Sequence, residues 1–449
     1  MSFKAKSLGL LLGLAATASA TALAQTDDGA SEPALPANWT YDECVEYAKA
    51  NNITLKQTQL TWESGNYDLE AARAQWFPTL DFSTSHGFTN YPSPADGQRN
   101  NTYSGSYGLN AGWTVYNGGK RQNTIKQQEL SGQVNSLAVD AVYNNLETEI
   151  MVCYLQILYA REAIGIAKQT CEVSLVQKER AYALMEAGKL SRVDYIELES
   201  QYLTDEYNVV TAESTYRSRK LELKQLLELG IEVDMEIPDL TFSEEDVLQP
   251  LPDKSTVYYA AISWLPEIQS LLLQEDISDL DIKIAKAGYY PTISLSASVG
   301  TGTNSGSDYN FGDQLLNNLN ENIGISLSIP ILDNKTNKTA VAKAKIAKMN
   351  TQLDYESKLV DVAQTVESYH IEATNAQAQY ISGKKQLESA ELTDELTNEQ
   401  FKLGMVNILE LLSSHNTLLS ARQQLLQSKY TAIMNIKMLE FYQNQGINL

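Results

Sequence analysis

Two stretches of this chain say the same thing, and whatever fold it adopts must be built twice. Residues Asp42 to Pro78 and Ser255 to Pro291 each read as a long polar helix ending in an aromatic-Pro-Thr step. The first closes Ala74-Gln-Trp-Phe-Pro78-Thr-Leu. The second closes Ala287-Gly-Tyr-Tyr-Pro291-Thr-Ile, 213 residues later (291 − 78). Downstream, Tyr116-Asn-Gly-Gly119 aligns with Leu332-Asp-Asn-Lys335, and Gly188 with Gly404, 216 residues apart (404 − 188). Two copies of one supersecondary unit imply internal pseudo-symmetry. The unit is expected to run helix, strand pair, then a very long helix pair. It spans 25–229 and again 255–449, joined by a proline-bearing linker at 230–254.

The chain opens like a secretory signal: Lys4 and Lys6, an apolar run from Leu8 to Ala16, then small residues to Ala24. Residues 1–24 are expected to be removed, with Ala18-Ser19-Ala20 as an alternative site. The run is too short to span a bilayer, and the mature chain is expected to carry no transmembrane helix. Formal charge is −22, and −24 once the two signal lysines go (−22 − 2). No basic patch interrupts this acidity, so nucleic acid is excluded as a partner. Cys153 and Cys171 would lie roughly 27 Å apart on one helix, too far to bridge. All three cysteines, with Cys44, read as helix-packing residues.

From Arg121 to about Ala187 no proline occurs, and apolar residues step Val139, Val142, Leu146, Ile150, Cys153, Ile157. Steps of three and four are the period of coiled-coil packing. The second copy, about Asn337 to Leu403, also lacks proline. A helix that long extends on the order of 100 Å. Each long helix then turns: the first pair (120–229) near Gly188 with Ser191 as N-cap, the second (336–440) near Gly404 with Asn407. In the second return helix Leu411-Leu412, Leu418-Leu419, Leu425-Leu426 and Ala432-Ile433 recur every seventh position. So wide a stripe suits a helix with neighbours on two sides, as in a barrel of helices or a closed bundle.

Between helices lie alternating segments, expected as hairpins at 79–116 and 292–331. Tyr103, Gly105, Tyr107, Leu109, Ala111, Trp113 and Val115 share one face, with Ser, Gly, Asn and Thr on the other. The second copy sets Ile323, Ile325, Leu327, Ile329 and Ile331 against Gly324, Ser326 and Ser328. This is the pattern of a membrane β-strand with a lipid face (Tyr103, Tyr107, Trp113, Ile325, Leu327, Ile329) and a wet face. Four strands cannot close alone, and lipid tolerates no open edge. Several copies must share one barrel; eight strands from two or twelve from three are both possible. The tips, Tyr91 to Gly97 and Thr301 to Asp308, are expected as loops facing outside the cell.

The tandem unit, the aromatic-Pro step, Tyr116-Asn-Gly-Gly119 and the paired glycine turns together resemble the TolC-like outer membrane efflux proteins, over about Trp39 to Glu440. The resemblance implies an α+β membrane protein. It would be a homotrimer with a 12-stranded transmembrane β-barrel, four strands per chain, continuous with a periplasmic α-helical barrel. It implies residence in the Gram-negative outer membrane, in contact with its lipid. The partners implied are a periplasmic adaptor protein and an inner-membrane efflux pump or ABC exporter. It places adaptor docking at the tips, on Gly188, Leu190, Ser191, Gly404, Val406 and Asn407. It also places a carboxylate gate at Glu410, with Ser413 where relatives carry a second acid. Asp194 matches a latch acid whose basic partner's position is here Val406. The linker 230–254 would belong to a belt at the tunnel's waist.

No catalytic or cofactor motif accompanies these features. His86, His370 and His415 stand outside any metal or triad pattern and read as surface or packing residues. Glu197 and Glu199 read as solvated. The expected function is an efflux exit duct carrying small molecules, without cofactor, metal or enzymatic activity. The alternatives are a duct for type I protein secretion and an exported coiled-coil structural protein.

Overall fold

The computed structural model describes residues 38–93, 99–447 and 449. The expected signal at 1–24 and positions 94–98 of the first hairpin tip lie outside them. Each repeat begins with two helices where the sequence reads as one: α1 (Tyr41–Asn51) and α2 (Ile53–Ala74), later α6 (Lys254–Trp264) and α7 (Pro266–Ala287). The breaks are local. Asn52 leaves helical geometry at ψ 126° so that its side chain can cap Leu55. Leu265 is held at ψ 124° by the proline that follows it.

Strands β1 (Thr79–Asn90), β2 (Asn101–Asn117), β3 (Thr292–Asn304) and β4 (Asn320–Ser328) form one antiparallel sheet in sequence order. Phe82↔Leu109, Leu109↔Val299 and Leu295↔Ile325 stand side by side, so the apolar residues form one face across all four strands. Ser83↔Gly108, Asn110↔Ser298 and Ser298↔Asn322 show the other face to be small and polar. Tyr103, Tyr107, Trp113, Ile325 and Leu327 all belong to the apolar face. Three expectations need correction. Val115 is a bulge residue between Thr114 and Tyr116, so Tyr116 takes the apolar side beyond it. Ile329 and Ile331 lie past the end of β4, because within one chain nothing pairs beyond Thr292↔Ser328. The tip expected as a loop from Thr301 instead continues β3 to Asn304 and carries a short helix, α8 (Phe311–Asn317). Side chains hold that helix to the strand: Asn318 Nδ2 donates to the Gly302 carbonyl, and Gln314 Oε1 accepts from Asn304 N–H at 2.6 Å.

The long helices are α3 (Lys120–Glu186) and α9 (Thr336–Lys402), 67 residues each, and the returns α4 (Arg192–Leu226) and α10 (Ile408–Tyr442), 35 each. Each return therefore covers about half of its long helix, and α2 and α7 flank the rest. One 18-residue window of α3 reaches a mean hydropathy of 1.4, which by length and composition alone would suffice to cross a membrane, against the expectation of no transmembrane helix. It belongs to the main core, where Ile150, Tyr154, Ile157 and Leu158 pack with Trp39, Cys44, Ile433 and Leu439. The linker, with a helix α5 (Glu244–Val247), wraps this core. Arg161 fastens it, its guanidinium donating to the Ile237 and Pro238 carbonyls at 2.6 and 2.9 Å. The three cysteines are free, Cys44 fully buried and the other two partly so. Burial pushes the Cys44 thiol up to about 12, aided by the nearby Glu43 carboxylate.

Candidate functional site at the paired helical turns

Both turns are built the same way. Gly188 and Gly404 sit at φ +68° and +72°, the left-handed position that ends a helix most readily with glycine. Lys189 N–H returns to the Leu184 carbonyl at 2.9 Å and Met405 N–H to Gln400 at 2.9 Å, closing the orphan carbonyls of each long helix. Three residues on, Ser191 Oγ accepts from Asp194 N–H at 3.1 Å and Asn407 Oδ1 from Glu410 N–H at 2.9 Å. Asp194 and Glu410 thus occupy equivalent positions in the first turn of a return helix, where the helix dipole favours a carboxylate.

A small apolar cluster joins the two turns. Ala181, Leu198, Ile408 and Leu411 are buried, with Leu190, Tyr195, Phe401 and Leu412 packed around them. Of the positions expected at the tips, Gly188, Ser191, Gly404 and Asn407 are exposed, and Val406 is half-buried. Leu190 is half-buried and packs against the cluster. Glu410 and Ser413 are exposed and line a groove of about 400 Å³ between α9 and α10, with Ser389, Thr393, Thr397 and Thr417. Asp194 is half-buried and has no ion-pair partner among the described residues.

One residue set escaped sequence reasoning. His415, expected as a surface or packing residue, is 3 % exposed, and its Nε2 lies 3.3 Å from Oδ2 of Asp205, itself 1 % exposed. Gln201 Nε2 donates to the other Asp205 oxygen at 3.1 Å. Burial raises the Asp205 carboxyl, but the hydrogen bonds from His415, Gln201 and Ser174 outweigh it and hold the group below its usual 3.8. Next to it, Ser414 Oγ donates to Asp394 at 3.1 Å. A buried polar layer therefore crosses the helices just inside the turns. Its only sequence signal was polar residues within apolar heptads. Glu197 and Glu199, expected in solvent, are half-buried, and Glu199 accepts from Tyr195 Oη at 3.1 Å.

The geometry has counterparts. The model of the family described as outer membrane efflux protein matches residues 44–228 and 257–440, one match per repeat. The outer membrane protein TolC of Salmonella enteritidis is 23% identical over 397 residues, covering 88% of this chain and 79% of that protein. The alkaline protease secretion protein AprF of Pseudomonas aeruginosa is 22% identical over 318 residues, covering 69% of this chain and 64% of its own. Among solved structures, the Campylobacter jejuni CmeC outer membrane channel superposes with a TM-score of 0.76 at 17% identity, covering 90% of this chain and 86% of its own.

Proposed function

Because both of its repeats match that model, the chain belongs to the outer membrane efflux protein family, and we propose that it is the exit duct of a tripartite assembly. In this reading a homotrimer closes a 12-stranded barrel in the outer membrane and extends it with a helical tunnel across the periplasm. An adaptor protein docks at the tips, and an inner-membrane pump supplies the energy. The observation that carries it is the sheet: four strands, one face mainly apolar, with His86 and Glu321 toward one end, and one of Ser, Gly, Asn and Thr with Asp81, with both edges unpaired. Such a sheet is stable in lipid only when further copies close it. The polar face then lines water.

Glu410 is assigned to the constriction. Three copies around an axis would bring three carboxylates together, favouring cations and repelling anions. The acid sits on a helix end fixed by the Asn407 cap, so its position does not depend on a flexible loop. Ser413 supplies a polar but uncharged second position, and with Val406 at the position of the basic partner, a latch through Asp194 is absent or made differently. In planar-bilayer recordings Glu410→Gln is expected to lower cation preference several-fold with conductance retained. Unchanged selectivity would defeat the gate assignment.

Small-molecule efflux is the cargo reading. The similarity to AprF, named for protease secretion, supports protein export as the second. A photo-crosslinker at Val406 separates them by what it captures through the adaptor: a multidrug or cation pump, or a peptide-exporting ATPase.

A further inference from the structure

We propose that the chain carries a basic belt where its helices meet the sheet, and that this belt binds anionic phospholipid head groups on the periplasmic side of the membrane. This rests on the barrel reading and adds to it the charge of the lipid selected at the barrel's foot.

Two runs of the sequence lack acids altogether. From Asn117 to Gln128 the only charges are Lys120, Arg121 and Lys126. Between Asp333 and Asp354 they are Lys335, Lys338, Lys343, Lys345 and Lys348. In a chain of net charge −22, this corrects the expectation that no basic patch interrupts the acidity. The fold makes the two runs one surface. Helix α7 packs against both α3 and α9, and its last turns carry Lys283 and Lys286. Gly118, just before α3, lies against Ala287 and Tyr290, and Asn337 Nδ2 donates to the Gly288 carbonyl at 2.7 Å. Lys120, Lys126, Lys283, Lys286, Lys335 and Lys338 are exposed, without an ion-pair partner among the described residues. The acids of α7 do not neutralise them: Asp279 pairs with Lys348, and Asp281 accepts from Gln127.

Position selects the occupant. Trp113, on the apolar face, donates from Nε1 to the Trp76 carbonyl at 2.9 Å. Trp76, Phe77, Tyr289 and Tyr290 are exposed beside the ends of α2 and α7. Such rings mark the boundary between membrane and water, and α3 begins three residues after β2 ends. From Lys120 to Lys126 the helix rises about 9 Å. The head-group layer is about 5–8 Å deep and the screening length about 8–10 Å. Lys120, Lys126, Lys335 and Lys338 therefore act on head groups at close range, whereas Lys343 and Lys345 stand at the limit.

The first repeat is the one short of an anion. At the start of α9, Asp333 accepts from the Lys335 and Asn337 N–H groups at 3.1 and 2.9 Å. Its carboxylate offsets the positive end of the helix dipole. Asn117 stands at that position in the first repeat; it accepts from Arg121 N–H at 3.2 Å but brings no charge. Arg121 is 3% exposed, its guanidinium carbon 4.5 Å from the Trp76 ring centre and its Nε unpartnered. A helix start this positive, at the edge of the lipid face, fits a phosphate that the chain itself does not supply.

The test uses the full chain with Lys120, Lys126, Lys335 and Lys338 changed to Gln, singly and together. Dissociation of the detergent-solubilised oligomer on heating is followed with added phosphatidylglycerol or phosphatidylcholine. Phosphatidylglycerol is expected to protect the unmodified chain better, and high salt to erase the difference. Each single change should weaken phosphatidylglycerol binding about fivefold, and the combined variant should lose the preference. Lys385→Gln, about 70 Å further along α9 than Lys338, should keep it. Equal protection by the two lipids, or a preference that survives the combined change, would overturn the belt while leaving the oligomer in place. Altered ion selectivity of the combined variant, with lipid preference intact, would put the lysines in the lumen and overturn it too. Absence of any oligomer from the outer-membrane fraction would overturn the duct reading itself.

Discussion

At the residue scale, the most consequential pair is Asp205 with His415, two polar groups from different repeats enclosed just inside the tips. Removing one partner of a buried hydrogen bond costs about 1–3 kcal/mol. His415→Ala is therefore expected to destabilise the unmodified fold by that amount near neutral pH, as read by thermal unfolding in detergent. The pH dependence has a definite sign. Because Asp205 is held below its ordinary 3.8, its contribution is present above that value and is lost as pH falls through the lowered one. The difference between the wild type and His415→Ala should accordingly shrink below about pH 4. A difference that stays constant however far the pH is lowered would show that the histidine contributes by packing alone.

At the element scale, helix ends were legible because their causes are local. Gly188 with Ser191, and Gly404 with Asn407, each supply a stop and a restart within four residues, and the structure uses all four as such. A Cβ at either glycine meets open space, so the cost of a side chain there is conformational. Gly188→Ala and Gly404→Ala should each cost about 1–2 kcal/mol of local stability, seen as faster amide exchange at the turn with little change in global melting. Slowed exchange would contradict the left-handed assignment. The split of α1 from α2 is a subtler local signal, a single cap at Asn52, and periodicity passes over it. Helix α8 had no comparable signal. Seven residues are too few for a period, and what holds them is Asn318 and Gln314 bonded to the backbone of β3.

At the scale of the whole molecule, the sheet's two faces decide where the protein can reside. Leu327 stands in the apolar face beside Ile293. Arginine on the lipid face of a membrane barrel costs about 2–4 kcal/mol at the midplane and progressively less toward the interfaces. Leu327→Arg should reduce the heat-resistant oligomer recovered from the outer membrane, whereas Ser298→Arg on the polar face of the interior strand β3 should not. Equal loss from both would argue that the faces are not differently solvated.

The sequence by itself determined the repeat, the lengths of the long helices, the turn residues and which strand residues share a face. Each of these depends on neighbours within a few positions, through sterics, capping and the two periods of 2 and 3.6 residues. Tertiary structure alone decided that Leu190 packs against the cluster between the turns, that β4 stops at Ser328, and that Asp205 meets His415 across 210 residues. Such contacts depend on how packed helices are rotated about their axes and on where a strand finds a partner. A small rotation shifts a side chain from groove to solvent without altering any local pattern.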